Sequence, residues 1–317
     1  MPSSASSSEG RVLVLLVGPT AVGKTALSVL LAERFGAEII SCDSMQVYRG
    51  FDIGTDKPGL EERRRVPHHL VDIMDGREQF TAADFAERAA RAVADITSRG
   101  RLPLVVGGTG LYVKALVDGL FPGPGRDEAV RAGLEEEVLR VGLDALYARL
   151  EVVDPAYAAK IGRRDRIRIV RALEVQAVTG IALSEHFRNT AGFLPGYRVV
   201  AIGLRRERAE LVARIEARIA RMFERGLVEE VRGLVASGLP ESAPPFKALG
   251  YRHALAVLRG EMSPADAASR TAMDTRRYAK RQMTWFRRME GICWFEADDL
   301  EGAAAHVASG CGSRKFI

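Results

Sequence analysis

Residues 12–25 read Val-Leu-Val-Leu-Leu-Val-Gly-Pro-Thr-Ala-Val-Gly-Lys-Thr, an apolar run followed directly by the pattern Gly-x-x-x-x-Gly-Lys-Thr. The apolar run predicts a buried strand, and the apolar residues among 26–31 predict a helix behind the loop. Main-chain N–H groups of such a loop surround a phosphate at the positive end of the helix. The stretch therefore predicts a polyphosphate site built from Gly18, Pro19, Thr20, Ala21, Val22, Gly23, Lys24 and Thr25.

Two side chains of this phosphate loop have predicted roles. Lys24 would reach the terminal phosphate, and the hydroxyl of Thr25 would bind Mg²⁺. The pattern indicates a polyphosphate ligand and a magnesium cofactor, but it does not identify the ligand as ATP.

Further short apolar runs predict a parallel sheet covered by helices. They lie at residues 38–40, 104–106 and 199–204, with a possible late strand at 292–295, and helical patterns separate them. Together with the loop, they predict an α/β fold with a parallel-sheet core like that of P-loop NTPases.

Strand signals vanish between two Pro- and Gly-rich stretches, residues 121–125 and 191–196. This predicts a helical insertion domain at 121–196 within a core made of 10–120 and 197–298. Its helical segments are expected near residues 130–139, 143–150 and 164–178. A long helix is expected from Ser263-Pro264 to about Met289, and tails are expected at 1–9 and 299–317.

Composition narrows the class of protein. The chain has 317 residues, of which 47% are hydrophobic, and lacks an apolar stretch of the roughly 20 residues that a membrane span needs. Cys42, Cys293 and Cys311 have no metal or redox spacing, which favours free thiols in a reducing cytoplasm. We therefore expect a cytoplasmic protein without a membrane partner.

Charge is distributed unevenly along the chain. Residues 1–110 carry 13 Lys and Arg against 14 Asp and Glu, whereas the rest carries 33 against 27. Arg164, Arg168 and Arg171 follow helical spacing, and residues 270–290 hold seven basic side chains against two acidic ones. A helix face on which most charges are positive favours a nucleic-acid partner.

Asp43 follows the second predicted strand, so it should point into the crevice at the carboxyl edge of the sheet. Three roles are open from the sequence: a partner for Mg²⁺, a general base, or a turn residue. The run at residues 102–106 ends without the acid that a hydrolytic NTPase uses to help hold Mg²⁺. This absence favours group transfer over a motor-type ATPase.

Two further features have open interpretations. Gly107-Gly108-Thr109-Gly110 would place Thr109 at the mouth of the crevice, with the glycines allowing close approach of a ligand or forming a tight turn. Arg214 and Arg218, four residues apart, suit either a diphosphate or a salt bridge.

Seven segments, in order, resemble the tRNA dimethylallyltransferase family, the bacterial tRNA isopentenyltransferases. They are GPTAVGKT (18–25), SCDSMQVYRGFDIGTDKP (41–58), VPHHLVDI (66–73), GGTGLYVKAL (107–116), RIVRALEV (168–175), KALGYR (247–252) and DTRRYAKRQMTWFRR (274–288). The resemblance spans about residues 11–290.

The resemblance implies transfer of a dimethylallyl group from dimethylallyl diphosphate to N6 of the adenosine 3′ of the tRNA anticodon. It implies Asp43 as general base, with Lys24 and Thr109 as further catalytic residues. We expect the protein to be a monomer. The residues expected to contact the tRNA anticodon stem-loop are Asp43, Ser44, Met45, Gln46, Thr109, Arg131, Ile167, Arg168, Ile169, Val170, Arg171, Lys247, Arg252, Arg277, Lys280 and Arg281.

Two other functions are compatible with the loop. One is an adenylate isopentenyltransferase or nucleotide kinase acting on free nucleotides, which needs no long basic insertion. The other is a nucleotide-gated RNA-binding protein without transfer chemistry. Activity on AMP and ATP, or RNA binding without diphosphate release, would distinguish these from the tRNA-modifying enzyme.

Overall fold

The computed structural model describes residues 10–121, 123–190 and 192–312, apart from the side chain of Asn189. The predicted tail at residues 1–9 lies outside this part of the chain. The described residues form two compact units, one from the chain up to Leu116 together with Leu194 onward, and the other from Val117–Phe193.

The elements follow one another in three groups. The first group is β1 (Arg11–Val17), α1 (Lys24–Phe35), β2 (Ala37–Cys42), α2 (Leu60–Arg65), β3 (His68–His69), α3 (Ala82–Ser98), β4 (Leu102–Gly107) and α4 (Gly110–Val117). The second is α5 (Glu128–Val141), α6 (Leu143–Val153), α7 (Pro155–Ala158), α8 (Arg166–Thr179) and α9 (Leu183–His186), followed by a short 3₁₀ turn (Phe187–Asn189). The third is β5 (Tyr197–Arg205), α10 (Arg208–Glu224), α11 (Leu227–Ala236), a 3₁₀ turn (Pro244–Lys247), α12 (Tyr251–Leu258), α13 (Pro264–Phe286), β6 (Ile292–Glu296) and α14 (Leu300–Cys311).

The strands form one sheet in the order β3-β2-β4-β1-β5-β6, and every pair in it is parallel. β1 lies in the middle of the sheet, between β4 and β5, and all but its first residue are buried. Parallel strands covered by helices on their faces are the arrangement that the alternation of apolar runs and helical patterns predicts. The predicted fold class is confirmed.

Three local features differ from the sequence prediction. β3 spans only two polar residues, so it has no apolar run by which to be recognised. The long helix begins at Pro264 with Ser263 as its N-cap, as predicted, but ends at Phe286. The predicted tail at residues 299–317 is wrong over Leu300–Cys311, because this segment is a helix whose Ala303 and Val307 are buried in the core. Residues 313–317 lie outside the described chain.

Each unit has its own apolar core. In the larger unit, side chains of β1, β2, β4 and β5 pack against α1 and α14. In the smaller unit, α5, α6 and α8 supply most of the buried residues, among them Leu134, Leu146, Leu150 and Leu173. A separate core is consistent with the loss of strand signals over this stretch, since helices alone must bury its apolar side chains.

Two inferences from composition concern the cysteines and membrane segments. Cys42 and Cys293 are free thiols, as predicted, and Cys311 is buried at the end of α14. Among the described helices, none has the length and apolar character that a membrane crossing requires.

Candidate active site

The phosphate loop, Gly18–Thr25, connects the central strand β1 to α1. Gly18 has a φ of 151°, and a Cβ there would lie 2.8 Å from the carbonyl oxygen of Leu204 on β5. Only glycine allows the loop and β5 to approach each other this closely. The first glycine of the motif therefore fixes the loop against the neighbouring strand.

Lys24 is half-buried within the loop. Its Nζ donates to the carbonyl oxygens of Gly18 at 2.9 Å and Pro19 at 2.8 Å. Burial, followed by the nearby guanidinium of Arg218, lowers the pKa of Lys24 to about 8, while Asp43 acts in the opposite direction. An ammonium group held by carbonyl oxygens alone lacks a full counter-charge, and an anion in the site would supply one.

Three arginines, one in the connection between β5 and α10 and two on α10, hold the loop from outside. Arg206 Nε donates to the carbonyl of Val22 at 3.3 Å, and Arg214 Nε donates to that of Ala21 at 3.0 Å. Arg218 Nη1 donates to the hydroxyl of Thr20 at 2.9 Å. The structure thus places both predicted diphosphate arginines at the loop, and Arg218 also pairs with Asp56 at 3.3 Å.

The second glycine cluster is a tight turn packed against protein. A Cβ at Gly107 would lie 2.0 Å from the carbonyl oxygen of Cys42, and one at Gly110 would lie 2.3 Å from Cδ1 of Trp285. One at Gly108 would lie 2.2 Å from Nε2 of Gln282. Of the two interpretations left open by the sequence, these distances favour the structural turn.

Gln282 on α13 links the two loops. Its Oε1 accepts from the main-chain N–H of Thr20 at 2.9 Å, and its Nε2 donates to the carbonyl of Gly108 at 2.9 Å. The side chain is 6% exposed, so its own amide depends on these two hydrogen bonds and not on water. Gln282 therefore joins the phosphate loop to the turn that carries Thr109.

Asp43 follows β2 and is half-buried. Its Oδ1 accepts from the main-chain N–H groups of Met45 at 2.8 Å and Gln46 at 3.3 Å, which fixes the side-chain rotamer. Among the residues that the structure describes, none donates to Oδ2. One oxygen is thus held by the turn and the other is available to a ligand or a proton donor.

A cavity of about 690 Å³ brings the predicted residues together. Its wall includes part of the phosphate loop, Asp43, Gln46, Gly108, Tyr278 and the two arginines Arg214 and Arg218. Thr109 lies next to this wall, where its side chain hydrogen-bonds Tyr278. Burial, followed by the charge of Asp43, raises the pKa of Tyr278 to about 12, so its hydroxyl stays neutral.

The predicted tRNA-binding residues of the larger unit differ in their surroundings. Arg277, Lys280 and Arg281 are exposed on α13, and Arg281 lies over the ring of Tyr278, 5.8 Å from its centroid. Arg252 is exposed but pairs with Asp274, while Lys247 is exposed. In the 41–46 turn, Ser44 and Met45 are half-buried, and Gln46 bonds to Ser41 and to the 55–56 main chain.

In the smaller unit, the prediction for Ile169 and Val170 needs correction. Both are 0% exposed in the helical core, so neither can contact RNA. Ile167 and Arg168, by contrast, are exposed on the same helix, with Arg168 paired to Asp165. Ile169 and Val170 are therefore packing residues of α8.

Arg131 and Arg171 surround a buried carboxylate. Each lies 3.2 Å from an oxygen of Glu174, which is 0% exposed and also accepts from the main-chain N–H of Asp127 at 2.8 Å. Arg171 further donates to the carbonyl of Pro124 at 2.7 Å. An uncompensated carboxylate there would be costly, so both arginines stabilise the smaller unit. Their contact with tRNA stays a prediction.

Sequence reasoning missed Gln282, Tyr278 and Asp56 as part of the site. All three lie in segments that the resemblance marked, but nothing in a helix pattern distinguishes a buried Gln from its neighbours. Residue spacing could have indicated the two on α13, because Tyr278, Gln282 and Trp285 fall on one face of this helix, opposite to Lys280.

Comparison with known proteins identifies the relatives of this chain. A family model described as IPP transferase matches residues 46–289. A tRNA dimethylallyltransferase from Geobacter metallireducens is 52% identical over 285 residues, which cover 90% of this chain and 92% of the relative. The crystal structure of a tRNA isopentenylpyrophosphate transferase from Bacillus halodurans has a TM-score of 0.71 at 41% identity, covering 95% of this chain and 97% of the other. A eukaryotic dimethylallyltransferase described as acting on tRNA has a TM-score of 0.74 at 29% identity, with 95% and 77% covered.

The lowered pKa of Lys24 predicts pH-dependent binding of inorganic pyrophosphate. The ammonium form attracts the anion, so affinity should fall as pH rises through about 8, where the buried amine loses its proton. Isothermal titration calorimetry between pH 7 and 9.5 measures this. Lys24→Gln is the control: it should bind more weakly and report only the ionisation of pyrophosphate itself. The same pH dependence in both proteins would contradict the role given to Lys24.

Proposed function

We propose that this chain, which belongs to the IPP transferase family, transfers a dimethylallyl group from dimethylallyl diphosphate to tRNA. The acceptor is N6 of the adenosine 3′ of the anticodon, and diphosphate is released. The observation that carries the proposal is the single cavity into which both the phosphate loop and Asp43 open. A donor diphosphate and an acceptor amine can meet there.

The reaction joins N6 of adenine to C1 of the dimethylallyl group while the bond between C1 and the diphosphate oxygen breaks. The leaving diphosphate keeps the electron pair, and its growing negative charge faces Lys24 and the N–H groups of the loop. Asp43 Oδ2 takes the proton that N6 loses as the new bond forms. Asp43 therefore acts as general base, and the hydrogen bonds to Oδ1 keep it in position.

Thr109 completes the acceptor side in this proposal. Its main-chain N–H donates to the carbonyl of Cys42 at 3.4 Å, which brings it beside Asp43. The hydrogen bond between the Thr109 side chain and Tyr278 orients the threonine. A hydroxyl fixed in this way can hold the adenine that has left its stack while Asp43 removes the proton.

The donor atoms of the site suit Mg²⁺. The hydroxyl of Thr25 is a hard oxygen ligand that lines the cavity, and Mg²⁺ takes few protein oxygens together with phosphate oxygens. We propose that Thr25 holds the ion. When bound, it supplies charge that stabilises the leaving diphosphate.

The exposed basic residues of α13 are proposed to contact tRNA phosphates. Arg277, Lys280 and Arg281 lie on the outer side of the helix whose inner side carries Gln282. In the smaller unit, Ile167 and Arg168 are the exposed candidates. We also propose that the enzyme acts as a monomer, and an acceptor in tRNA supports a cytoplasmic location.

The function is tested by incubating the protein with dimethylallyl diphosphate, Mg²⁺ and unmodified tRNA, followed by mass analysis of the nucleosides. Isopentenyladenosine in the tRNA, with no product from AMP or ATP, is expected. Product from the free nucleotides alone would favour the adenylate isopentenyltransferase, and RNA binding without pyrophosphate release would exclude transfer chemistry.

The base role of Asp43 predicts a large loss of turnover in Asp43→Asn. The amide keeps the shape of the side chain but cannot take the proton, so single-turnover transfer should fall by roughly 10²–10⁴-fold. Pyrophosphate affinity, measured by calorimetry, should change little. Lost Mg²⁺-dependent pyrophosphate binding with an intact chemical step would instead assign Asp43 to the metal.

The tRNA contact of α13 predicts a change in salt dependence for Arg281→Ala. Each phosphate contact releases counterions when tRNA binds, so a variant that lacks one contact releases fewer of them. The slope of log affinity against log salt concentration should therefore flatten by slightly under ~1 unit. Filter binding at several salt concentrations measures it. Arg91→Ala on α3, also exposed, is the control and should leave the slope unchanged. An unchanged slope in Arg281→Ala would remove this residue from the interface.

A further inference from the structure

We propose that Asp56 competes with the diphosphate for Arg218 and thereby weakens the binding of both donor and product. This inference rests on the proposed function, since it concerns the diphosphate end of the same cavity. It adds a residue whose charge opposes ligand binding beside Lys24, Arg214 and Arg218, which favour anions and line the same cavity.

The contact that carries the inference is an ion pair inside the cavity wall. Arg218 Nε lies 3.3 Å from Oδ2 of Asp56, and both residues line the cavity. The same guanidinium donates from Nη1 to the hydroxyl of Thr20 in the phosphate loop at 2.9 Å. Arg218 therefore lies where it can reach a bound diphosphate, but a protein carboxylate already engages it.

Asp56 is held in this position by an anchored turn. Its main-chain N–H donates to the carbonyl of Ile53 at 3.1 Å, and its φ of 52° lies in the left-handed region that few residues other than glycine, Asn and Asp adopt. The next residue, Lys57, has a side chain only 2% exposed and lies 2.6 Å from both Asp52 and Asp72. The carboxylate is thus presented by the fold and does not depend on a flexible surface pairing.

The electrostatic consequence has a definite sign. Arg218 can pair with the carboxylate of Asp56 or with phosphate oxygens. In addition, the negative charge of Asp56 repels a diphosphate that enters the site. Both effects lower anion affinity in the free enzyme. They also favour departure of pyrophosphate after transfer, because the carboxylate of Asp56 can pair with Arg218 again as pyrophosphate leaves.

The test is the binding of inorganic pyrophosphate to Asp56→Asn, measured by titration calorimetry with Mg²⁺ present. The amide keeps the size of the side chain and tolerates the left-handed backbone, so affinity should rise by about two- to fivefold. Product inhibition by pyrophosphate should strengthen by the same factor. Glu61→Gln, which removes an exposed carboxylate of α2 outside the cavity wall, is the matched control and should leave affinity unchanged.

A second variant separates charge from folding. Asp56→Gly removes the carboxylate at a backbone position that favours glycine, so it should fold at least as well and also bind pyrophosphate more tightly. Unchanged or weaker binding in both variants would overturn the inference and assign Asp56 to holding Arg218 ready for the ligand. Failure of the unaltered protein to bind pyrophosphate would instead overturn the proposed function.

Discussion

The close approach of the phosphate loop to the neighbouring strand is the constraint on which the site depends. Gly18 packs against the carbonyl of Leu204 at a distance that no Cβ tolerates, so the loop leaves β1 in one direction only. That direction sends Lys24 into the protein, where it binds the carbonyls of its own loop. The proposed donor site therefore depends on the central strands as much as on the motif.

The acceptor side is tied to the donor side through α13. Gln282 bonds to the phosphate loop at one end and to the Gly108 turn at the other, and Tyr278, one turn earlier, bonds to Thr109. The outer side of the same helix carries exposed basic residues. One rigid element thus connects the proposed tRNA contacts to both reacting groups, which is how a site gains geometric accuracy without flexible loops.

Much of the architecture was predictable, because it follows from patterns with strong local causes. The apolar runs gave the five longer strands, and the Ser263-Pro264 cap gave the start of α13. What the sequence did not predict are features decided by tertiary contacts. β3 is too short and polar to have a pattern, and α14 is rich in alanine, whose burial against β5 only the fold determines.

The same division holds in the candidate site. The Gly-x-x-x-x-Gly-Lys-Thr pattern placed the loop correctly, since its context of strand and helix is local. The contacts of the arginines were harder to predict, because spacing indicates which side chains share a helix face but not what each of them contacts. Arg171 lies beside the buried Glu174, while Arg281 is exposed over Tyr278. Ile169 and Val170 show that a stripe next to basic residues can be core.

The central claim is that stabilisation of the leaving diphosphate by the phosphate loop drives the transfer. Single-turnover prenylation of tRNA by Lys24→Ala at saturating dimethylallyl diphosphate tests it most directly. Loss of this one charge from the transition state should lower the rate by about two or more orders of magnitude, while tRNA affinity stays near that of the unaltered protein. A rate close to that of the unaltered enzyme would contradict the account.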